Sequence, residues 1–234
     1  MAVITVRENY VMHRIHSITG VMPVGYYMVQ HLVLNANSIA GPEKFNGVID
    51  FFEGMPKHLL LAMEVGMIWV PLLFHAIYGL FIISRAKNNY FTTKYKWSEN
   101  RMFFLQRLSG VAVFFFLIYH VLTTTVQKYI SGNAESIKYV AMSERFHNPI
   151  VLAAYVLGIL AASYHLGYGL WNFCIRWGIT VTEASQQRVQ KLSGVAFVAI
   201  TLIGWAALVG FFMHDTKGTA TPAGVSQESG TAKI

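Results

Sequence analysis

The sequence predicts an all-α integral membrane protein, a bundle of five transmembrane helices. Its 234 residues are 54% hydrophobic and only 12% charged, whereas about 25% charged is usual in soluble domains. Because lipid offers no hydrogen-bond partner to backbone amides, long apolar segments must be helical. Five segments are long enough to cross a hydrocarbon layer of about 30 Å: residues 17–36, 58–84, 104–127, 149–174 and 192–213.

The basic residues indicate how these helices are oriented. Eleven Lys and Arg residues lie in the N-terminus and the connections 85–107 and 176–191, against five in the opposite connections. The positive-inside rule then places the N-terminus in the cytoplasm. Membrane topology therefore explains the net charge of +7 better than a nucleic-acid partner does. The N-terminus is too polar for a signal peptide core. We expect one transmembrane domain over residues 1–214 and a disordered tail over 215–234.

Four histidines lie inside the apolar segments, one in each of the first four. They are His31, His75, His120 and His165, separated by 44, 45 and 45 residues. Because successive helices run in opposite directions, His75 and His165 fall at one depth, nearer the cytoplasm. His31 and His120 fall at another, nearer the outside. Two neutral imidazoles on facing helices can bind the iron of a haem b from both sides. The pattern therefore predicts an inner haem on the first pair and an outer haem on the second.

Two short repeats accompany these histidines. His-x-x-Tyr-Gly-Leu occurs at residues 75–80 and again at 165–170. A second repeat opens the first, third and fifth segments, as Ile18-Thr-Gly-Val21, Leu108-Ser-Gly-Val111 and Leu192-Ser-Gly-Val195. We interpret the second repeat as an interface anchor followed by small residues that allow close helix packing.

One carboxylate, Glu64, lies inside an apolar segment. It precedes His75 by eleven residues, and eleven α-helical residues at about 100° each return to within about 20° of the same direction. Glu64 is therefore predicted to face the haem cavity near the outer haem, where a buried carboxyl group can donate and accept protons. Asp50 and Glu53 are candidates to relay those protons from outside. The alternative is a structural glutamate, hydrogen-bonded to a neighbouring helix or to the outer haem.

Taken together, the motifs resemble one family over about residues 13–212. The sequence is similar to the di-haem cytochrome b membrane subunit of succinate dehydrogenases and fumarate reductases, of the single-chain, five-helix type. The motifs are His16-Ser-Ile-Thr-Gly20, Gln30-His31-Leu32, Pro71-x-x-x-His-Ala-x-Tyr-Gly79, Gln106-Arg-x-Ser-Gly110, Tyr119-His120, and His165-x-x-x-Gly-Leu-Trp171 followed by Trp177-Gly-Ile-Thr180.

The resemblance implies a membrane anchor of respiratory complex II, an enzyme of the tricarboxylic acid cycle, in a bacterial inner (cytoplasmic) membrane. A flavoprotein subunit and an iron–sulfur subunit would bind its cytoplasmic face, where the basic connection 85–107 lies. Succinate oxidation would occur on those partners, since this chain has no dicarboxylate site. Electrons would pass through two b haems to a membrane quinone, usually menaquinone in this type.

The resemblance also assigns residues. The haem ligands of the family correspond to His31 with His120 and to His75 with His165. Positions that approach the inner haem propionates correspond to His16, Ser17 and Arg176. Some fumarate reductases of this type have a glutamate two residues before the ligand at 165, for a transmembrane proton path. This chain has Ser163 there, so the resemblance does not extend to that path.

Two other functions fit parts of the pattern. A di-haem cytochrome b of this kind can serve a hydrogenase or another dehydrogenase, and co-purification of a flavoprotein subunit separates the two cases. A haem-free transporter can use intramembrane histidines as a proton relay. A reduced-minus-oxidised spectrum separates that case, because only a haem protein gives a cytochrome b band.

Overall fold

The computed structural model describes residues 2–86 and 98–214, with the side chains of residues 10–86 and 99–214. These residues form helices and turns without a β-strand, which confirms the predicted all-α class for this part of the chain. The helices are α1 (Ala2–Val21), α2 (Val24–Asn35), α3 (Pro42–Glu53), α4 (Lys57–Met63), α5 (Val70–Arg85), α6 (Ser98–Thr123), α7 (Thr125–Ser131), α8 (Tyr139–Phe146), α9 (Pro149–Arg176) and α10 (Glu183–Gly210). A π-helical stretch, Glu64–Trp69, joins α4 to α5.

In the described part of the chain, four helical stretches are long and apolar enough to cross a membrane. They are Lys57–Arg85, Glu99–Ser131, Pro149–Arg176 and Glu183–Gly210, which match four of the five predicted segments. The helices of the third and fifth segments begin earlier than predicted, because helix continues through polar residues before the apolar run. At the start of α10, Thr182 and Ser185 form a reciprocal capping box, each side chain accepting the backbone N–H of the other at 3.2 Å.

The predicted helix over residues 17–36 is not continuous, and this part of the prediction is wrong. The chain breaks between α1 and α2 at Pro23, where the Met22–Pro23 peptide is cis. A proline has no N–H to donate, and its ring clashes with the carbonyl four residues earlier. Neither half is long and apolar enough by itself to be one of the four spanning stretches.

The chain between the first and second predicted segments, and between the third and fourth, folds into a cap at one end of the bundle. We define the cap as α3, α8 and the short 3₁₀ helix Ala36–Ala40. Its core joins the spans through aromatic rings, for example Phe45 on Phe211 at 5.0 Å. Hydroxyl groups of the cap donate to carbonyls in the last turn of α10 and at the residue that follows it, where few backbone donors remain. These bonds run from Ser38 to Ala207 at 2.7 Å, Tyr139 to Gly210 at 2.6 Å and Ser143 to Phe211 at 2.8 Å.

Within the bundle, α1 packs along α5, and α9 packs along both α6 and α10. Small residues allow these close approaches, as in other membrane helix pairs. A Cβ atom on Gly167 of α9, for instance, would lie 2.9 Å from Cβ of Phe197 on α10. The pairs α1–α5 and α6–α9 matter most for function, because each brings an intramembrane histidine against a repeat glycine.

Candidate functional site

The structure brings His75 of α5 and His165 of α9 face to edge. Their ring centres are 6.1 Å apart and the ring planes cross at 81°. His31 of α2 and His120 of α6 form a second pair, with ring centres 5.9 Å apart and planes crossing at 79°. These are the two pairs that alternating helix direction predicts. We keep the names inner pair for His75 with His165 and outer pair for His31 with His120.

Both distances suit two imidazoles that share one metal ion. Imidazole nitrogens bind first-row metals at about 2 Å, and each nitrogen lies roughly 1 Å from its ring centre, so two opposed ligands have centres about 6 Å apart. Two neutral imidazoles on opposite sides of an iron are the donor set of a six-coordinate haem. The described residues therefore fit this group, and ligation itself stays a prediction.

The other ring nitrogen of three of these histidines is hydrogen-bonded. Nδ1 of His75 lies 2.9 Å from the carbonyl oxygen of His16, and Nδ1 of His165 lies 3.1 Å from that of Gln106. Nδ1 of His120 lies 3.1 Å from the hydroxyl of Tyr155. Metal-binding histidines usually donate their second N–H in this way, which fixes the tautomer and the ring orientation. Nε2 is then the nitrogen left to bind a metal.

Two of the three residues expected near the inner haem propionates lie close to the inner pair. The ring of His16 stacks on His75 with centres 4.1 Å apart and planes 9° from parallel. The guanidinium of Arg176 donates to the carbonyl of His13 at 3.4 Å, one turn before His16 on α1. Ser17 follows His16 and is partly buried. A cation and an imidazole are therefore available here to carboxylates.

Glu64 lies at the start of the π-helical stretch, and its carboxylate accepts a hydrogen bond of 2.5 Å from the hydroxyl of Tyr129 on α7. Tyr27, whose ring stacks on His31 at 5.6 Å, lies within electrostatic range of this carboxylate. Glu64 is therefore on the side of the bundle where the outer pair lies. The angular projection from His75 does not hold, because it assumed 3.6 residues per turn throughout, whereas five of the intervening residues, 65–69, are π-helical.

Tyr129 was not among the residues predicted from the sequence. The residue stands just beyond an apolar segment, where a tyrosine is ordinarily assigned to the aromatic belt of the membrane interface. The nearby polar run Thr123-Thr-Thr125 is a signal that α6 stops and the chain turns. In the structure α6 ends at Thr123, and α7 directs Tyr129 to Glu64.

The two proposed relay carboxylates, Asp50 and Glu53, both lie on α3 but pair with different lysines. Glu53 pairs with Lys128 at 2.5 Å, and Lys128 directly precedes Tyr129, so Glu53 and Glu64 both contact α7. Asp50 instead lies 3.5 Å from Lys138, which also pairs with Glu135 at 2.9 Å. Glu53 therefore contacts the same short helix, α7, as Glu64, whereas Asp50 contacts Lys138, which directly precedes α8.

Comparison with known proteins decides the family. Residues 83–208, more than half of the chain, match the family described as the succinate dehydrogenase/fumarate reductase transmembrane subunit. The chain belongs to this family. It is 35% identical over 205 residues, 88% of this chain and 98% of the relative, to the succinate dehydrogenase cytochrome b558 subunit of Bacillus subtilis. It is 24% identical over 208 residues, 83% of this chain and 78% of the relative, to the fumarate reductase cytochrome b subunit of Helicobacter pylori.

The family predicted from the motifs is thereby confirmed, and so is a location in a membrane. The chain is the transmembrane subunit of an enzyme complex of the succinate dehydrogenase and fumarate reductase type.

Proposed function

We propose that this chain is the membrane-anchor cytochrome b subunit of a succinate:quinone oxidoreductase. It carries electrons between an iron–sulfur subunit and a membrane quinone through two b haems. One observation carries the proposal: two histidine pairs have ring centres 6.1 and 5.9 Å apart in a chain whose relatives are named cytochrome b subunits.

His75 and His165 would hold the inner haem, and His31 and His120 the outer one. The bound haems supply one-electron chemistry. The chain's own contribution is to hold four neutral imidazoles in fixed orientations inside an apolar bundle. His16, Ser17 and Arg176 would receive the inner propionates, since carboxylates are stabilised by a guanidinium and by hydroxyl and imidazole donors.

Quinone chemistry is assigned to the Glu64 end of the bundle. Reducing a quinone to a quinol takes up two electrons and two protons, so the site needs a proton-exchanging group close to the outer pair. Glu64 is such a group, and Tyr129 holds its carboxylate at 2.5 Å. Glu53, paired with Lys128 beside Tyr129, is the nearer of the two relay candidates, and Asp50 the more remote. We propose menaquinone as the quinone, following the resemblance.

The proposed topology keeps five spans in one domain over residues 1–214. Pro23 bends the first span, so α1 and α2 together form it. The N-terminus lies in the cytoplasm of a bacterium, and the flavoprotein and iron–sulfur subunits bind on that side of the inner membrane. The tail 215–234, expected to be disordered, lies outside the described residues. So do Lys87, Lys94 and Lys96 of the basic connection.

A dithionite-reduced minus oxidised spectrum of the purified complex, combined with a haem-to-protein ratio, tests this function. We expect a cytochrome b band, two haems per chain and a co-purifying flavoprotein subunit that oxidises succinate. A chain without the band would favour the proton-relay transporter. Two haems without that flavoprotein would favour a cytochrome b of a hydrogenase or another dehydrogenase.

A further inference from the structure

Two copies of the Ser/Thr-Gly repeat hold the inner histidines in the same way. These copies are residues 18–21 and 108–111. They overlap the segments 16–20 and 106–110, and we call each of these five-residue segments a seat. Nδ1 of His75 contacts the carbonyl of His16, the first residue of one seat, at 2.9 Å. Nδ1 of His165 contacts the carbonyl of Gln106, the first residue of the other, at 3.1 Å. Each bond spans 59 residues of sequence, so the arrangement recurs as a unit.

The fourth residue of each seat contacts the same carbonyl. The hydroxyl of Thr19 shares its hydrogen between the carbonyl of His16 at 3.1 Å and that of Ile15 at 2.9 Å. The hydroxyl of Ser109 donates to the carbonyl of Gln106 at 3.0 Å. The helical N–H four residues later also points at this carbonyl. Three donors thus share two lone pairs, which limits how strongly the imidazole N–H can bind.

The fifth residue of each seat is a glycine that lies under the histidine ring. A Cβ atom on Gly110 would lie 2.9 Å from Cε1 and 3.2 Å from Nδ1 of His165. A Cβ atom on Gly20 would overlap Cε1 of His75 more severely. A free histidine would rotate away from such an atom. A histidine bound to iron through Nε2 and to a carbonyl through Nδ1 cannot do so without losing one of these bonds.

The contacts also run in the opposite direction. The first residue of each seat packs its side-chain nitrogen over the glycine four residues after the ligand. Nε2 of His16 would lie 3.2 Å from a Cβ on Gly79, and the amide nitrogen of Gln106 3.4 Å from a Cβ on Gly169. The seat repeat and the His-x-x-Tyr-Gly-Leu repeat therefore interlock.

The third copy of the repeat lacks this role. Gly194 of α10 faces Tyr168, and its added Cβ would lie at an ordinary 3.8 Å from the tyrosine hydroxyl. The motif by itself therefore allows close helix packing, which is the role predicted for it from the sequence. Only the two copies opposite His75 and His165 contact a ligand nitrogen among the described residues.

We infer that Gly20 with Thr19, and Gly110 with Ser109, are positioning residues that set the ring orientation and electron donation of the inner haem's ligands. The inference rests on the proposed function, because it requires His75 and His165 to bind iron. Second-shell hydrogen bonding to a ligand is one of the ways a protein adjusts a haem's redox potential.

The test compares Gly20→Ala and Gly110→Ala with the matched control Gly194→Ala, each in the whole purified complex. The readouts are the haem-to-protein ratio, a redox titration of the haem absorbance band and the ferric EPR spectrum. We expect both seat variants to lose the inner haem or to shift its potential and EPR signal, with the outer haem and the control unchanged. Wild-type values of all three readouts in both seat variants would overturn the inference.

A milder variant covers the case in which an alanine prevents assembly. Thr19→Val keeps the side-chain volume. It removes the Thr19 hydroxyl, one of the three donors to the His16 carbonyl. The His75 N–H then binds that carbonyl more strongly, the ligand becomes more electron-rich and the ferric state is favoured. We expect the inner haem's potential to fall. Thr201→Val is the control, because the Thr201 hydroxyl donates at 2.8 Å to the carbonyl of Phe197, away from the ligands. An unchanged or raised potential in Thr19→Val would contradict the inference.

His75→Ala distinguishes failure of the ligand assignment from failure of the seat inference alone. If it retained two haems, the proposed ligand assignment would fail, and the seats with it. If it lost the inner haem while the glycine and threonine variants matched wild type, the seat inference would fail alone.

Discussion

The hydroxyl of Tyr129 donates a hydrogen bond of 2.5 Å to the carboxylate of Glu64, across 65 residues of sequence. The bond ties the π-helical stretch of the second span to α7, the short helix that follows the third. π-Helical turns are often found at functional sites. A hydrogen bond from a tyrosine holds the carboxylate in one orientation. We therefore regard Glu64 and Tyr129 as one unit.

The first prediction concerns this unit. Glu64→Gln keeps the shape and the hydrogen bond but cannot exchange a proton. We expect quinone-linked succinate oxidation to fall by about tenfold or more, in line with the usual contribution of a general acid or base. Both haems and the reduction of an artificial dye should persist. The assay compares quinone and dye as electron acceptors in the same preparation. Normal quinone turnover in Glu64→Gln would refute the assignment.

Tyr129→Phe gives the second prediction. It leaves the carboxylate in place but removes the group that orients it. We expect a smaller loss of quinone turnover than in Glu64→Gln, because the proton-exchanging group remains. Steady-state assays at several quinone concentrations measure this loss. Tyr26→Phe is the matched control, since Tyr26 is 58% exposed. Equal rates for the two tyrosine variants would show that Tyr129 has no part in the site.

The third prediction concerns ligand pairing. Replacing His75 or His165 by alanine should remove the inner haem, and replacing His31 or His120 should remove the outer one, because one imidazole cannot complete six-coordination. Redox-resolved spectra of the four variants measure which haem remains. If His75→Ala and His165→Ala retained different haems, the pairing would be wrong, whatever the distances between the rings.

The sequence was sufficient to predict both histidine pairs. One histidine per span, at nearly constant spacing on helices of alternating direction, leaves few ways to pair them by depth. It was insufficient for Glu64, because a π-helical turn changes the direction of every residue beyond it and has no clear sequence signature. The break at Pro23 could have been predicted, since a proline inside a helical pattern removes a backbone bond.

The cap and Tyr129 could not be predicted for another reason. Their contacts join residues far apart in the chain: Ser38 bonds to Ala207 across 169 residues and Ser143 to Phe211 across 68. Hydrophobic periodicity reports which face of a helix is buried, but not which partner buries it. The seats were visible as a repeat, and only the structure separates the two copies that contact a ligand from the third.

The fourth prediction concerns docking of the soluble subunits. The connection 85–107 holds Arg85, Lys87, Lys94, Lys96 and Arg101, the densest group of basic residues in the chain. We expect reversal of Arg85 and Arg101 to release the flavoprotein and iron–sulfur subunits while both haems remain, because opposite charges steer and hold such interfaces. Reversal of Lys44 and Lys57, in a connection predicted on the other side of the membrane, is the control. If the soluble subunits still co-purified with the variant, docking would not depend on these charges. Their role would then be only to set the orientation of the helices in the membrane.

The last prediction concerns the cap. The hydroxyls of Tyr139 and Ser143, both buried, donate to the carbonyls of Gly210 and Phe211. Burial raises the pKa of Tyr139, so its hydroxyl stays a donor at physiological pH. The two carbonyls differ in their other partners. That of Gly210 also accepts from Met213 N–H at 3.2 Å, whereas no second donor reaches that of Phe211 within the described residues.

Ser143→Ala should therefore destabilise the protein by about 1–3 kcal/mol, the cost of leaving a buried carbonyl unpaired. Tyr139→Phe should cost only about 1 kcal/mol, the net value of one hydrogen bond. The thermal unfolding midpoint of the purified complex in detergent ranks the variants, with Ser131→Ala, at an exposed position, as the control. A larger drop in the midpoint for Tyr139→Phe than for Ser143→Ala would contradict this ranking. It would mean that the hydrogen bond from Met213 N–H does not compensate the Gly210 carbonyl for the loss of the Tyr139 hydroxyl.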